Sequence, residues 1–424
     1  MLYMSENDIL NCLTNSIEDK RAHNTTIPFN LVMALSIAAK MKTKTSLSDI
    51  PYASTDHRVL AKLGYNIVDT NGNLKDSMMT ESSLRFLFGK YNEEELFASY
   101  NNTVQNYIMP KLDITPNIHI LDCTELSVNI DNENFEGATY TTNKYGNYDR
   151  GYKLATIRGL VDDTGIIEDI CFSGMNVHDL TLSKDMVRNT KVFNPGDILI
   201  EDRGFIDRDI MNFLKRERRV DTYIPLKSHM VAYQIAVSAA KEENKWEPHP
   251  SRSNHKITFV TELGPLWQSD RPKEDVDFNA CVAWDTESDN YFVFITTDTS
   301  VSAKQILLTY ELRPEIEEDY RQLKDFWMLE DFKSTKLNMI ALHVIMVLFG
   351  YLFFQIYTLY PEGEQYSHKS LPIILKNYQS KSMPYLVVYA DDEFCVLSII
   401  EFANIYSSCE DNVKKRFGGI FDKT

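Results

Sequence analysis

Apolar and polar positions change their period more than once along the 424-residue chain. Residues 29–41 (FNLVMALSIAAKM) form an apolar run with a basic tail at Lys40, Lys42 and Lys44, which suits a helix C-terminus. Further helical stretches are predicted at 56–63 and 81–107, separated by Asp/Asn/Gly turns such as 69–73. No strand alternation interrupts them, so 1–115 reads as a helical N-terminal region. After Pro116 the period becomes two. Residues 119–130 (HILDCTELSVNI) predict a strand, and 152–160 with 166–173 predict a hairpin about Asp162-Asp163-Thr164-Gly165. A helix over 177–189, a short apolar strand over 197–201, a helix over 207–219 and a strand over 221–226 follow. Antiparallel strands that lead into strand–helix–strand units predict an α+β fold, a mixed sheet with helices packed on it.

From 229 to 300 the chain is rich in strands and turns, with strands expected at 256–262, 278–284 and 291–295 and with Trp246, Trp267 and Trp284 among them. This stretch reads as a β-rich insertion. Residues 302–329 return to a helical period. Residues 339–360 (MIALHVIMVLFGYLFFQIYTLY) are apolar all round, and a helical tail is expected over 361–424. The apolar run is long enough to span a bilayer. It carries His343 and Gln355, however, and its only nearby basic residues are Lys333 and Lys336. The central helix of a large core is the preferred reading; a membrane anchor is the alternative.

Composition narrows the class. An apolar fraction of 43% with 25% charged residues is globular and excludes disordered or collagen-like chains. Six cysteines are spread without a CxxC pair or a zinc spacing, which points to a reducing compartment. Glu6 and Asp8 stand where a secretion signal needs basic and then apolar residues, so a cytoplasmic protein is expected. The net charge of −17 argues against a general nucleic-acid binder. Its distribution changes that picture. Residues 116–202 hold 7 basic and 15 acidic groups, whereas 203–250 hold 9 basic and 7 acidic. The run Lys215, Arg216, Arg218 and Arg219 is a candidate DNA contact, with a solvated helix face as the alternative reading.

Position selects among the carboxylates, because an acid at the end of a buried apolar strand is costly unless paired or bound to a cation. Asp122 and Asp202 meet that condition, the latter in EDRGF, where Gly204 is expected to permit a sharp turn. On the predicted helix 302–329, Tyr310, Arg313, Glu317, Arg321 and Lys324 fall on one helical stripe, with Pro314 predicting a kink or a restart. Two strand-end aspartates and a helix glutamate predict a site for two Mg²⁺ ions, with Mn²⁺ as a substitute. Hard oxygen donors suit such ions, and phosphodiester chemistry uses them.

The chain resembles the DDE transposases of bacterial insertion sequences. More narrowly, Tyr310, Arg313, Glu317 and Lys324 match the Tyr-x2-Arg-x3-Glu-x6-Lys signature of a cut-and-paste subgroup, behind LDCTEL at Asp122 and EDRGF at Asp202. The resemblance covers roughly 116–350. It implies a ribonuclease-H-like core in two parts, 116–228 and 301–360, interrupted by the β-rich insertion 229–300. Residues 1–115 would bind the transposon end, and 361–424 would serve dimerisation.

It also implies catalysis by Asp122, Asp202 and Glu317, with hydrolysis at the transposon end, a hairpin intermediate and strand transfer to target DNA. Tyr310, Arg313, Lys324 and Arg321 would contact DNA, and an aromatic of the insertion would stack a flipped base. Trp284 is the candidate, with Trp267, Tyr291 and Phe292 competing. The partners implied are double-stranded DNA (terminal inverted repeats and target) and a second copy in a synaptic dimer, acting at the bacterial nucleoid and not at a membrane. The alternative function is a catalytically silent, transposase-derived DNA-binding regulator.

Overall fold

The computed structural model describes residues 1–22, 25, 27–52, 57–65, 79–142, 146–261, 263, 275–366, 385–390, 393–398 and several positions between 402 and 412. The chain opens with α1 (Leu2–Glu6), α2 (Ile9–Cys12), α3 (Phe29–Met41), α4 (His57–Lys62), α5 (Glu81–Phe88), α6 (Glu93–Thr103) and α7 (Met109–Leu112). The stretch expected as one helix over 81–107 is divided. Asn92 caps α6 in a reciprocal box with Glu95, which satisfies the first free N–H groups of a new helix. The turn expected at 69–73 lies outside the described residues.

The sheet then begins with β1 (Ile118–Ser127), the edge strand β2 (Thr139–Thr142), β3 (Tyr148–Val161) and β4 (Thr164–Gly174). Next come α8 (Asp179–Asn189), β5 (Ile198–Glu201), α9 (Arg208–Phe213), β6 (Asp221–Pro225) and α10 (Val231–Glu243). They are followed by β7 (Glu247–Pro248), β8 (His255–Val260), β9 (Asn279–Asp285) and β10 (Asn290–Thr296). α11 (Ala303–Tyr310), α12 (Pro314–Asp325), α13 (Leu337–Thr358) and the hairpin β11 (Tyr385–Ala390) and β12 (Glu393–Ser398) complete the described elements.

The strands of 118–296 form one mixed sheet in the order β2-β3-β1-β5-β6-β10-β9-β8-β7, with β4 also paired to β3. β1, β5 and β6 run parallel, and the other pairs are antiparallel. The β-rich stretch is therefore not a separate sheet: β10 pairs with β6 and continues the central one. One face packs against the N-terminal helices, α11, α12 and α13 in a single large core that includes Leu35, Tyr100, Ile120, Ile200 and Phe349. The opposite face lies under α8, α9 and α10, with Leu121, Leu199 and Val282 among its core residues. The result is a mixed α+β architecture with helices on both faces.

α13 is the expected central helix. Its interior residues from Ile340 to Phe353 are all buried within the protein. Gly350 permits a close approach, because a Cβ there would stand 2.9 Å from Trp327.

Three further expectations are corrected. Residues 231–243 form a helix within the stretch read as strands and turns. Its signal is small: Ala232, Ala236 and Ala240 recur every four residues and are the buried stripe. Residues 302–329 are two helices rather than one, because Pro314 starts α12 at its first turn, where its missing N–H costs nothing. The tail 361–424 is not wholly helical, since β11 and β12 pair antiparallel. Their segments YLVVYA and EFCVLS are rich in β-branched and aromatic residues, a strand signal about Asp391-Asp392.

Candidate active site

Strand geometry brings the two aspartates together. β1 and β5 are parallel neighbours whose last paired residues are Leu121 and Glu201. The residues that come next, Asp122 and Asp202, follow Ile120 and Ile200 by two positions and so face the same side, toward α11 and α12; Asp202 stands just past the end of β5, whereas Asp122, expected at a strand end, lies within β1, which continues to Ser127 beside β3. Asp202 starts a tight turn in which the Phe205 N–H donates to its carbonyl at 2.9 Å. Gly204 does not adopt a positive φ there, so the expected need for glycine's conformational freedom is not met. Nor is glycine needed for space, since a Cβ at this position would meet no atom within 4 Å.

The third carboxylate comes from α12. Arg313, at the helix break, donates to Asp122 Oδ2 at 2.8 Å and also pairs with Glu317. One guanidinium thus bridges the strand acid and the helix acid. Asp122 Oδ1 accepts the Cys123 N–H at 2.9 Å. Burial pushes the Asp122 carboxyl up to about 6; Arg313 and the Cys123 N–H oppose the shift, and Asp202 and Glu317 add to it. Tyr310, whose ring packs on Phe294 at 4.9 Å, is pushed up to about 12 by burial and by the nearby Asp202. Its phenol therefore stays protonated and can donate a hydrogen bond. Glu317 remains exposed, at 59% of its side chain.

The remaining stripe extends along α12. Lys324 Nζ donates to the Glu125 carbonyl at 2.5 Å and lies 3.3 Å from Glu330. Arg321 is exposed and paired with Glu318 at 2.6 Å. The basic run on the second helix is placed elsewhere. Lys215 pairs with Asp221 at 2.6 Å, and Arg216 donates to the Asp275 carbonyl at 3.1 Å. Asp221 begins β6 opposite Ile198, at the end of the sheet away from Asp202. Lys215 and Arg216 are therefore not brought to the carboxylates.

Trp284 lies on the face covered by α10. It shares its sheet face with Val282, and its ring stands beside Trp246 at 5.2 Å and Tyr291 at 6.0 Å. Phe292 lies on the other face, that of Phe294 and Tyr310, and is 46% exposed beside His255. Trp267 lies outside the described residues.

The donor set suits a divalent cation of the Mg²⁺ class: three carboxylates, all hard oxygen ligands, of which Asp122 is raised mainly by burial and further by its two acidic neighbours. Among the described residues no three acidic, His or Cys side chains are drawn close enough to cage an ion. Arg313 bridges Asp122 and Glu317 instead.

Glu201 was missed by sequence reasoning. It lies on the face opposite Asp202, is 1% exposed, and its Oε2 has no hydrogen-bond partner among the described residues. Burial, reinforced by Asp207, pushes it from 4.5 up to about 8. The fold holds its proton, so this contribution to stability is full below the ordinary value and is lost as pH rises through about 8. Glu201→Leu is expected to stabilise the chain by roughly 2 kcal/mol in mildly alkaline buffer and by little in acid, checked by urea unfolding at both.

A family description for the transposase DDE domain matches residues 117–353, more than half of the chain. That span runs from the start of β1 into α13 and includes Asp122, Asp202 and Glu317. No curated protein matches the chain.

Proposed function

The chain belongs to the DDE transposase family, whose members act on DNA with divalent metal ions, and from that premise we propose that it is an active cut-and-paste transposase of an insertion sequence. The observation that carries this reading is the placing of Asp122, within β1, beside Asp202, just past β5, with one guanidinium bridging Asp122 to Glu317 on α12. Asp122, Asp202 and Glu317 would hold the Mg²⁺ ions, with Mn²⁺ as a substitute. Bound there, the metal supplies activation of a water or 3′-hydroxyl and stabilisation of the leaving oxygen.

In this reading, water first displaces the 3′ oxygen at the transposon end and frees a 3′-hydroxyl. That hydroxyl attacks the opposite strand, breaking one P–O bond as it forms another, and leaves a hairpin. A second water reopens the hairpin, and the same hydroxyl attacks target DNA. The protein's own groups hold the strand. Tyr310 donates from a phenol that stays protonated, Arg313 offers a planar fork to a phosphate, and Lys324 and Arg321 add charge farther along α12. A synaptic dimer with the C-terminal region 361–424 at its interface, and end binding by residues 1–115, complete the proposal.

The test is cleavage of DNA carrying the element's own terminal repeats in Mg²⁺ or Mn²⁺, resolved on denaturing gels. Metal-dependent 3′ nicks followed by hairpins are expected. End binding without cleavage would instead establish the silent regulator. For the flipped base, the face of the sheet supports Phe292 over Trp284. Phe292→Ala is expected to lower hairpin formation by about tenfold, in keeping with a stacking energy of ~1–3 kcal/mol, while Trp284→Ala leaves it near wild type. A gel time course with both variants distinguishes them.

A further inference from the structure

Helix α12 is fixed to the sheet and to α13 by polar groups, most of them buried, that the reaction itself does not require. Arg158 on β3 pairs with Asp319 at 2.5 Å and with Glu315 at 3.0 Å, and Tyr351 on α13 donates to Asp319 at 2.7 Å. One of these links reaches the candidate site directly. Tyr320, 6% exposed, lies 2.8 Å from the main-chain carbonyl of Asp122 and 2.7 Å from Thr156 Oγ1. Asp122 and Thr156 are register partners on β1 and β3. A phenol has one proton, and a carbonyl can only accept. Tyr320 therefore donates to Asp122, and Thr156 donates to Tyr320. Tyr320 follows Glu317 by three positions on the same helix, so one side chain connects the helix that carries Glu317 to the residue that carries the first aspartate.

We propose that Tyr320 is a positioning residue that sets the separation between Asp122 and Glu317, and with it the affinity of the site for a divalent ion. This rests on the carboxylate reading above. Outer groups that orient metal ligands commonly govern affinity by 10–100-fold. The bond acts on the main chain of Asp122 and leaves both carboxylate oxygens free for other partners.

The test is Mn²⁺ binding to the DNA-free full chain by titration calorimetry, with thermal unfolding in parallel. Tyr100→Phe is the control, because Tyr100 also donates from the core to a main-chain carbonyl, that of Ile167 at 2.9 Å, which belongs to β4 and not to a strand that carries a site carboxylate. Tyr320→Phe is expected to weaken Mn²⁺ binding about tenfold. Tyr100→Phe is expected to lose similar thermal stability and keep wild-type affinity. Equal affinities for Tyr320→Phe and wild type would overturn the inference, as would an equal weakening in Tyr100→Phe. Should Tyr320→Phe not fold, Thr156→Val carries the test, with an expected loss of about threefold, and no loss would count against the inference. If Asp122→Ala binds Mn²⁺ as wild type does, the carboxylate reading itself fails, and this inference with it.

Discussion

Asp122→Ala, Asp202→Ala and Glu317→Ala are each expected to lower cleavage of transposon-end DNA by about 10³-fold or more, without unfolding the protein. The size follows from the role proposed for them: a metal contributes several kcal/mol of transition-state stabilisation, and each 1.36 kcal/mol is tenfold in rate. The stability expectation separates that role from a structural one. Asp122 sits in an environment that pushes its carboxyl up to about 6, so its charge is a burden on the fold at neutral pH. Removing it relieves that burden and leaves Arg313 still paired with Glu317. Glu317 is exposed, and its loss takes away a surface partner of small value. The three variants should therefore unfold near the wild-type temperature while cleavage is lost. Cleavage rates measured beside thermal unfolding check both halves. Full activity in any one of the three would remove that residue from the site.

Much of this site is legible along the chain, for identifiable reasons. Asp122 and Asp202 stand out because each ends an apolar run that predicts a buried strand, and the parallel pairing of β1 with β5 then makes them neighbours. The stripe through Glu317 is legible because helical spacing is local. Facts that depend on which face of a strand is covered are harder to read. Trp284 and Phe292 belong to adjacent strands and look equivalent along the chain. Only the packing of α11 on one face and α10 on the other separates them. The basic run at Lys215 and Arg216 likewise looks free in sequence, yet it is occupied by Asp221 and the Asp275 carbonyl. Helix α10 escapes notice because its buried stripe is alanine, which carries a weak hydrophobic signal. Glu201 is adjacent to Asp202 in sequence and opposite to it in the fold, a distinction that the two-residue period of a strand supplies only once the strand is placed.

Arg313→Gln is expected to act in opposite directions on three measurements. Cleavage should fall by about 10²-fold, since a charge-assisted fork on a phosphate contributes roughly 1.5–3 kcal/mol. DNA-free Mn²⁺ affinity should rise, because the guanidinium that lies 2.8 Å from Asp122 and also pairs with Glu317 competes with a cation for the same oxygens. Stability should depend on pH. The Asp122 carboxyl is raised from 3.8 to about 6, so its protonated form favours the fold, and that contribution is full below 3.8 and lost as pH rises through 6. Arg313 is the cation that limits this loss; Asp202 and Glu317 worsen it, and Tyr310 and Tyr320, both neutral, face the same space. Without Arg313, a mostly buried carboxylate keeps no ionic partner among the described residues at alkaline pH, a cost of roughly 3 kcal/mol for a broken buried pair. In acid, Asp122 takes a proton and the cost nearly disappears. Urea unfolding on either side of pH 6 would show the difference, and equal destabilisation at both would mean that Arg313 does not serve Asp122 as its counter-ion. A fall in Mn²⁺ affinity would place Arg313 among the supports of the metal site and not among its competitors. Cleavage should fall under either assignment, so it is the sign of the metal effect that decides what the bridging guanidinium does before DNA arrives.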